Sequence, residues 1–118
     1  MTTIFHNPRC SKSRETLALL ETLNPAGEPI DIVEYLKQPP TVEQLAALHQ
    51  QLGRPVRDMI RDNEAPYQEL GLGDASIPDA RLLAAIAEHP VLLQRPIVVY
   101  QGKAAIGRPP EDVKSLFE

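Results

Sequence analysis

One cysteine, a cluster of cations around it and three separated arginines are the residues with chemistry to offer. Cys10 is the only cysteine of the 118 residues. It lies between a β-branched and aromatic run at Thr2–His6, which predicts a strand, and a stretch from Ser11 to Leu23 with helical spacing. The thiol is therefore expected in a strand-to-helix turn. Backbone N–H groups at a helix start favour negative charge, and a thiol there has its pKa lowered. Arg9, Lys12 and Arg14 surround Cys10 before the first acid, Glu15. A structural cysteine usually sits inside an apolar stripe, whereas Arg9 and Ser11 flank this one. The pattern favours a reactive thiolate.

Spacing narrows that chemistry. A cysteine phosphatase needs an arginine six positions after its nucleophile; position 16 is Thr16, and Arg14 is too near. A thioredoxin-type dithiol needs a second cysteine at position 13, where the chain has Ser13. Cys-x-x-Ser keeps an attacking thiolate without a resolving partner. Any disulfide step must then draw on an external thiol such as glutathione. Arg95 and Arg108 bracket a predicted hairpin, so they can lie at one end of a sheet, and Arg61 is expected at the end of the Pro55 helix, on the side opposite Val56 and Ile60. Their planar, permanently charged forks suit an oxyanion. An imidazolium at His6 would favour the thiolate. His49 and His89 read as helix-face and helix-end residues. No two histidines share metal-ligand spacing, and no metal site is expected.

The elements that must position these groups are marked by twelve prolines, about double average usage. They fall where periodic segments begin or end. Ile30–Tyr35 alternates as a strand. Thr41 with Gln44 forms a capping-box pair ahead of Val42–Leu52. Pro55 opens a further helix through Ile60, residues 66–73 read as irregular, and Pro78 starts a helix ending near His89. Ile97–Gln101 and Ala104–Gly107 make a hairpin around Gly102-Lys103, and Pro109-Pro110 starts a last short helix. The order β-α-β, three helices, β-β-α predicts an α/β fold with a mixed, roughly four-stranded sheet and flanking helices.

Apolar residues make up 42% of the chain and aromatics 4%, so the core is expected to be aliphatic. A length of 118 residues suits a single domain over 1–118. The net charge of -4 and the lack of a basic run disfavour nucleic acid as a partner. No stretch reaches the ~18–20 apolar residues of a membrane span, and the N-terminus lacks a signal-peptide pattern. The cytoplasm is the expected location.

His6-Asn7-Pro8-Arg9-Cys10-Ser11-Lys12-Ser13-Arg14 resembles the nucleophile segment of the glutaredoxin-linked arsenate reductases. Arg61 with Glu64–Leu72, Arg95-Pro96-Ile97-Val98-Val99, and Gly107-Arg108-Pro109-Pro110 resemble that family's later segments, in order. The resemblance implies a thioredoxin-like fold with a helical insertion. It implies Cys10 as nucleophile, Arg61, Arg95 and Arg108 as oxyanion ligands, and His6, Asn7 and Ser13 as neighbours of the thiolate. It further implies a cis-proline at Pro96 facing the thiol, where an X–Pro bond is otherwise cis only ~5% of the time. The expected activity is reduction of arsenate to arsenite, with glutathione as co-substrate, glutaredoxin as protein partner and no bound cofactor. Plasmid-type members carry a longer C-terminal tail than this chain. A related regulatory branch carries cysteine where this chain has Ser13, which argues against a disulfide switch. A glutathione-dependent thiol oxidoreductase and a regulator-like binding module are the alternatives.

Overall fold

The computed structural model describes residues 2–118. The expected aliphatic strands form a mixed sheet of four. β1 (Thr2–Phe5) lies inside, parallel to β2 (Ile30–Val33) and antiparallel to β3 (Ile97–Tyr100), and β4 (Lys103–Ile106) pairs antiparallel with β3. Phe5 stands opposite both Val33 and Ile97, so the chain leaves β1 and β2, and enters β3, at one end of the sheet. The hairpin register pairs Tyr100 with Lys103. Its two-residue turn is Gln101-Gly102, one residue ahead of the expected position. Both residues have positive φ, 51° and 79°, as a tight turn matching strand twist requires.

The α-helices are α1 (Ser11–Leu23), α2 (Val42–Leu52), α3 (Ala65–Glu69) and α4 (Asp79–Glu88), and α1, α2 and α4 follow their start and stop signals. The Thr41/Gln44 capping box is present in both directions, and Gly53 closes α2 with φ 64°. The chain divides into two compact units. One comprises the segment up to Gln38 with Arg95–Glu118, and the other is Pro39–Gln94. In the first, α1 and the C-terminal 3₁₀ helix Pro110–Phe117 pack together over a core of Ile4, Leu20, Val98 and Val113. In the second, α2 packs on α4, and Leu45, Leu48, Leu82 and Ile86 are buried.

Three expectations are corrected. The helix expected after Pro55 is a single 3₁₀ turn, Val56–Met59. So short a segment has little helical stability of its own. Ile60 instead turns extended and bridges Leu93, where both side chains are buried. Arg61 therefore lies beyond a helix rather than on one, and its N–H donates to the Leu92 carbonyl at 2.8 Å. The expected irregular stretch 66–73 contains α3, with Pro66 in its first turn. Arg57 ties down the chain beyond α3 by donating to the carbonyls of Leu72 at 2.8 Å and Asp74 at 2.6 Å. The last helix is 3₁₀ throughout.

Leu20 is fully buried on the helix that begins at Cys10. Leu20→Ala should lower the free energy of unfolding by about 2–5 kcal/mol in denaturant titrations. A change below ~1 kcal/mol would show that α1 is not anchored there.

Candidate active site

After β1 the His6 N–H donates to Val33 O at 2.8 Å, and the chain then turns sharply. Asn7 Oδ1 accepts the Arg9 N–H at 3.0 Å, and Asn7 O accepts the Cys10 N–H at 3.0 Å. Arg14, one turn into α1, donates through Nη1 to Pro8 O at 2.8 Å and braces the loop from behind. Cys10 is thereby fixed as the N-cap of α1, with extended backbone (φ -95°, ψ 123°).

Its half-buried thiol is pulled in two directions. Burial pushes the Cys10 pKa up. The Ser13 N–H, the Arg95 guanidinium, the Lys12 N–H and the Arg108 guanidinium, in that order, draw it down. The balance lies below the ordinary thiol value. The two N–H groups act by favouring the anion. The helix-start N–H groups act on Cys10 as expected, whereas the charges that draw its pKa down come from Arg95 and Arg108 rather than from Arg9, Lys12 and Arg14.

Around the sulfur the structure joins three of the predicted supporting residues. Ser13 is fully buried, and its Oγ lies 2.7 Å from His6 Nδ1 while accepting the Asn7 N–H at 3.0 Å. The imidazolium weighed for His6 is not supported. Burial lowers the His6 pKa, Glu34 opposes the shift and Arg14 adds to it, and the balance is below 6.5. His6 is a neutral, buried spacer that orients Ser13.

Arg95 and Arg108 come together on the β3 side. Register places Pro96, just before β3, opposite His6. The Arg95–Pro96 peptide is cis, as the resemblance implied, and Arg108–Pro109 is cis as well. Arg108 Nη1 donates to Arg95 O at 3.2 Å. Arg95 Nε is buried without a hydrogen-bond partner, and among the described residues neither arginine has an ion pair. Arg61 lies in the Pro39–Gln94 unit and pairs there with Glu64 at 2.5 Å.

Two residues went unassigned in the sequence. Thr16 is fully buried, and its Oγ1 donates to Lys12 O at 2.8 Å and lies 3.5 Å from Gly107 O. A Cβ on Gly107 would come within 2.7 Å of Thr16 Oγ1 and 2.9 Å of Pro96 Cγ. The Gly107 N–H donates to Pro96 O at 2.9 Å. Gly107 therefore lets the strand end that carries Arg108 press against α1 and the Pro96 turn. The available signal was the spacing Ser13, Thr16, Leu20, which forms the buried stripe of α1, rather than the leucines alone.

A cysteine at the start of the helix after the first strand, with a cis-proline entering the neighbouring antiparallel strand, defines the thioredoxin-like class. The particular branch follows from comparison with known proteins. Residues 5–116 match the ArsC family model, and the chain belongs to the ArsC family. An arsenate reductase of Neisseria meningitidis serogroup A is 47% identical over 97% of this chain and 96% of its own length. One from Escherichia coli K12 is 42% identical over 98% of this chain and 79% of its own length. The solved arsenate reductase from Vibrio cholerae superposes with a TM-score of 0.90 at 52% identity, covering 98% of this chain and 96% of the other.

Two outcomes follow. Gly107→Ala should lower stability by about 1–3 kcal/mol through overpacking against Thr16 and Pro96, read by thermal or denaturant unfolding; an unchanged midpoint would contradict the close approach. His6 supplies a pH test. The unfolded imidazole takes a proton near 6.5 and the folded one only at lower pH. Its contribution to stability is therefore complete above 6.5 and is lost as pH falls through that value toward the folded one. Urea unfolding from about pH 8 to about pH 5 should show this acid-side slope, shallower in His6→Gln. Parallel slopes in the two proteins would contradict it.

Proposed function

We propose that the chain reduces arsenate to arsenite in the reducing cytoplasm, with Cys10 as nucleophile and glutathione with glutaredoxin as the source of electrons. The observation that carries this reading is the pair Arg95 and Arg108. They lack acidic partners among the described residues, yet both draw down the pKa of the thiol. Paired with a carboxylate, such forks would hold the fold; unpaired beside a thiolate, they suit a tetrahedral oxyanion. The arsenate reductases named above support arsenate as that oxyanion. Arg61 is proposed as the third ligand on the sequence pattern.

The Cys10 thiolate attacks arsenic, a sulfur–arsenic bond forms, and one oxygen leaves as water after protonation. Arg95 and Arg108 neutralise the oxygens that bear the charge. Arsenic then needs two electrons to pass from the pentavalent to the trivalent state. The chain has no second cysteine, so one thiol of glutathione and one of glutaredoxin supply them and depart as a mixed disulfide. Hydrolysis of the remaining sulfur–arsenic bond returns Cys10 and releases arsenite. The N–H groups of Ser13 and Lys12 hold the regenerated thiolate ready for the next turn.

Purified protein given arsenate, glutathione and glutaredoxin should form arsenite, and Cys10→Ser should abolish turnover. Arg95→Ala and Arg108→Ala should each raise the KM for arsenate about 10- to 100-fold, the scale of a lost charge-assisted hydrogen bond. No arsenite above background from the intact protein would refute the assignment. Arginine variants that retain the wild-type KM would point instead to a general thiol oxidoreductase.

A further inference from the structure

The arginine pair occupies the β3 side of the Cys10 turn. On the β2 side lies a cleft of about 260 Å³. One wall is the turn His6–Arg9, and the other is Glu34, Leu36 and Lys37, just beyond β2. Ligand sites commonly measure ~300–1,000 Å³, so the cleft suits a small, partly exposed molecule. Pro8 and Leu36 offer apolar surface, and Leu36 is 46% exposed. Charge sits around them. Lys37 Nζ lies 3.6 Å from Glu34 and its side chain is 78% exposed, while Arg9 has no ion pair among the described residues.

We propose that this cleft receives the external thiol, and that the thiol is a small peptide bearing two carboxylates and one ammonium, the chemistry of glutathione. The inference rests on the reading of Cys10 as a nucleophile that must borrow its second sulfur. Two cations and one anion line the cleft, and the ligand presents two anions and one cation. Arg9 and Lys37 take the carboxylates, and Glu34 takes the ammonium. Arg9 directly precedes Cys10, one Cα step of about 3.8 Å, and a tripeptide spans about 10 Å when extended. A ligand seated between Arg9 and Lys37 therefore brings its sulfur to Cys10 from the face opposite the oxyanion. The two substrates approach the same sulfur without competing for cations.

The test uses thiol–disulfide exchange at Cys10 and needs no arsenate. The Cys10 thiolate attacks one sulfur of glutathione disulfide, the S–S bond breaks, and one glutathione thiolate leaves as the Cys10 mixed disulfide forms. Its rate, followed by intact-mass spectrometry, is compared with that of 3,3′-dithiodipropionate, which has the same net charge but no ammonium groups. Leaving-group differences between the reagents are common to every variant, so the ratio of rates reports the cleft. Lys37→Glu and Arg9→Glu should each lower that ratio about three- to fivefold, the scale of an exposed charge pair, and together they should lower it further. Ratios equal to wild type in both variants would overturn the cleft assignment. A charge-dependent ratio in a protein that produces no arsenite would leave the cleft standing and overturn the proposed function alone.

Discussion

Everything at this site depends on a contest over one sulfur atom. Partial burial opposes ionisation of Cys10, while two backbone N–H groups and two guanidinium groups favour it, and the second set prevails. The N–H contribution follows from the local strand-to-helix turn, but the guanidinium contribution does not. The N–H groups of Lys12 and Ser13 favour the thiolate because Cys10 occupies the N-cap of α1, a position more often filled by Ser, Thr, Asp or Asn. The guanidinium groups arrive from a strand entry and a strand exit some ninety residues later. The sheet exists, functionally, to bring those two regions to one end.

That convergence is held by close packing rather than by ion pairs. Thr16 and Gly107 meet at a separation that leaves no room for a methyl group, and Gly107 in turn bonds the Pro96 carbonyl. Arg108 then reaches the Arg95 carbonyl across the same corner. Leaving Arg95 and Arg108 without acidic partners among the described residues costs stability, since the buried Arg95 Nε has no hydrogen-bond partner among them. An anionic ligand would recover that cost, which is how a binding site for an oxyanion differs from a structural salt bridge. Ser13, by contrast, is fully engaged through His6 and Asn7 and keeps the turn rigid.

Much of this was legible in the residues, for identifiable reasons. The strands and the helices α1, α2 and α4 have clear periods bounded by Pro and Gly, so their order and type could be read. The Pro55 segment could not, because Val56, Met59 and Ile60 fit a helix equally well. Only the tertiary pairing of Ile60 with Leu93 decides it. The turn α3 was masked by Pro66, Gly71 and Gly73, and the Arg57 contacts that fix the chain after it join residues with no shared period. At the site, Cys10 and the bracketing arginines stood out by charge and spacing. The protonation of His6 did not, because burial rather than neighbouring charge dominates it. Thr16 and Gly107 were silent for a similar reason: a close approach between residues so far apart leaves no local trace.

As proposed, Arg95 and Arg108, with the α1 N–H groups, hold Cys10 as a preformed thiolate aimed at an oxyanion. Titration of Cys10 by thiolate absorbance, in the intact protein and in Arg95→Ala and Arg108→Ala, tests it most directly. The inflection should lie below the ordinary value of 9.0 in the intact protein, higher in each variant, and should shift upward with bound arsenate in the intact protein. An inflection at or above 9.0, unchanged by either substitution, would contradict it.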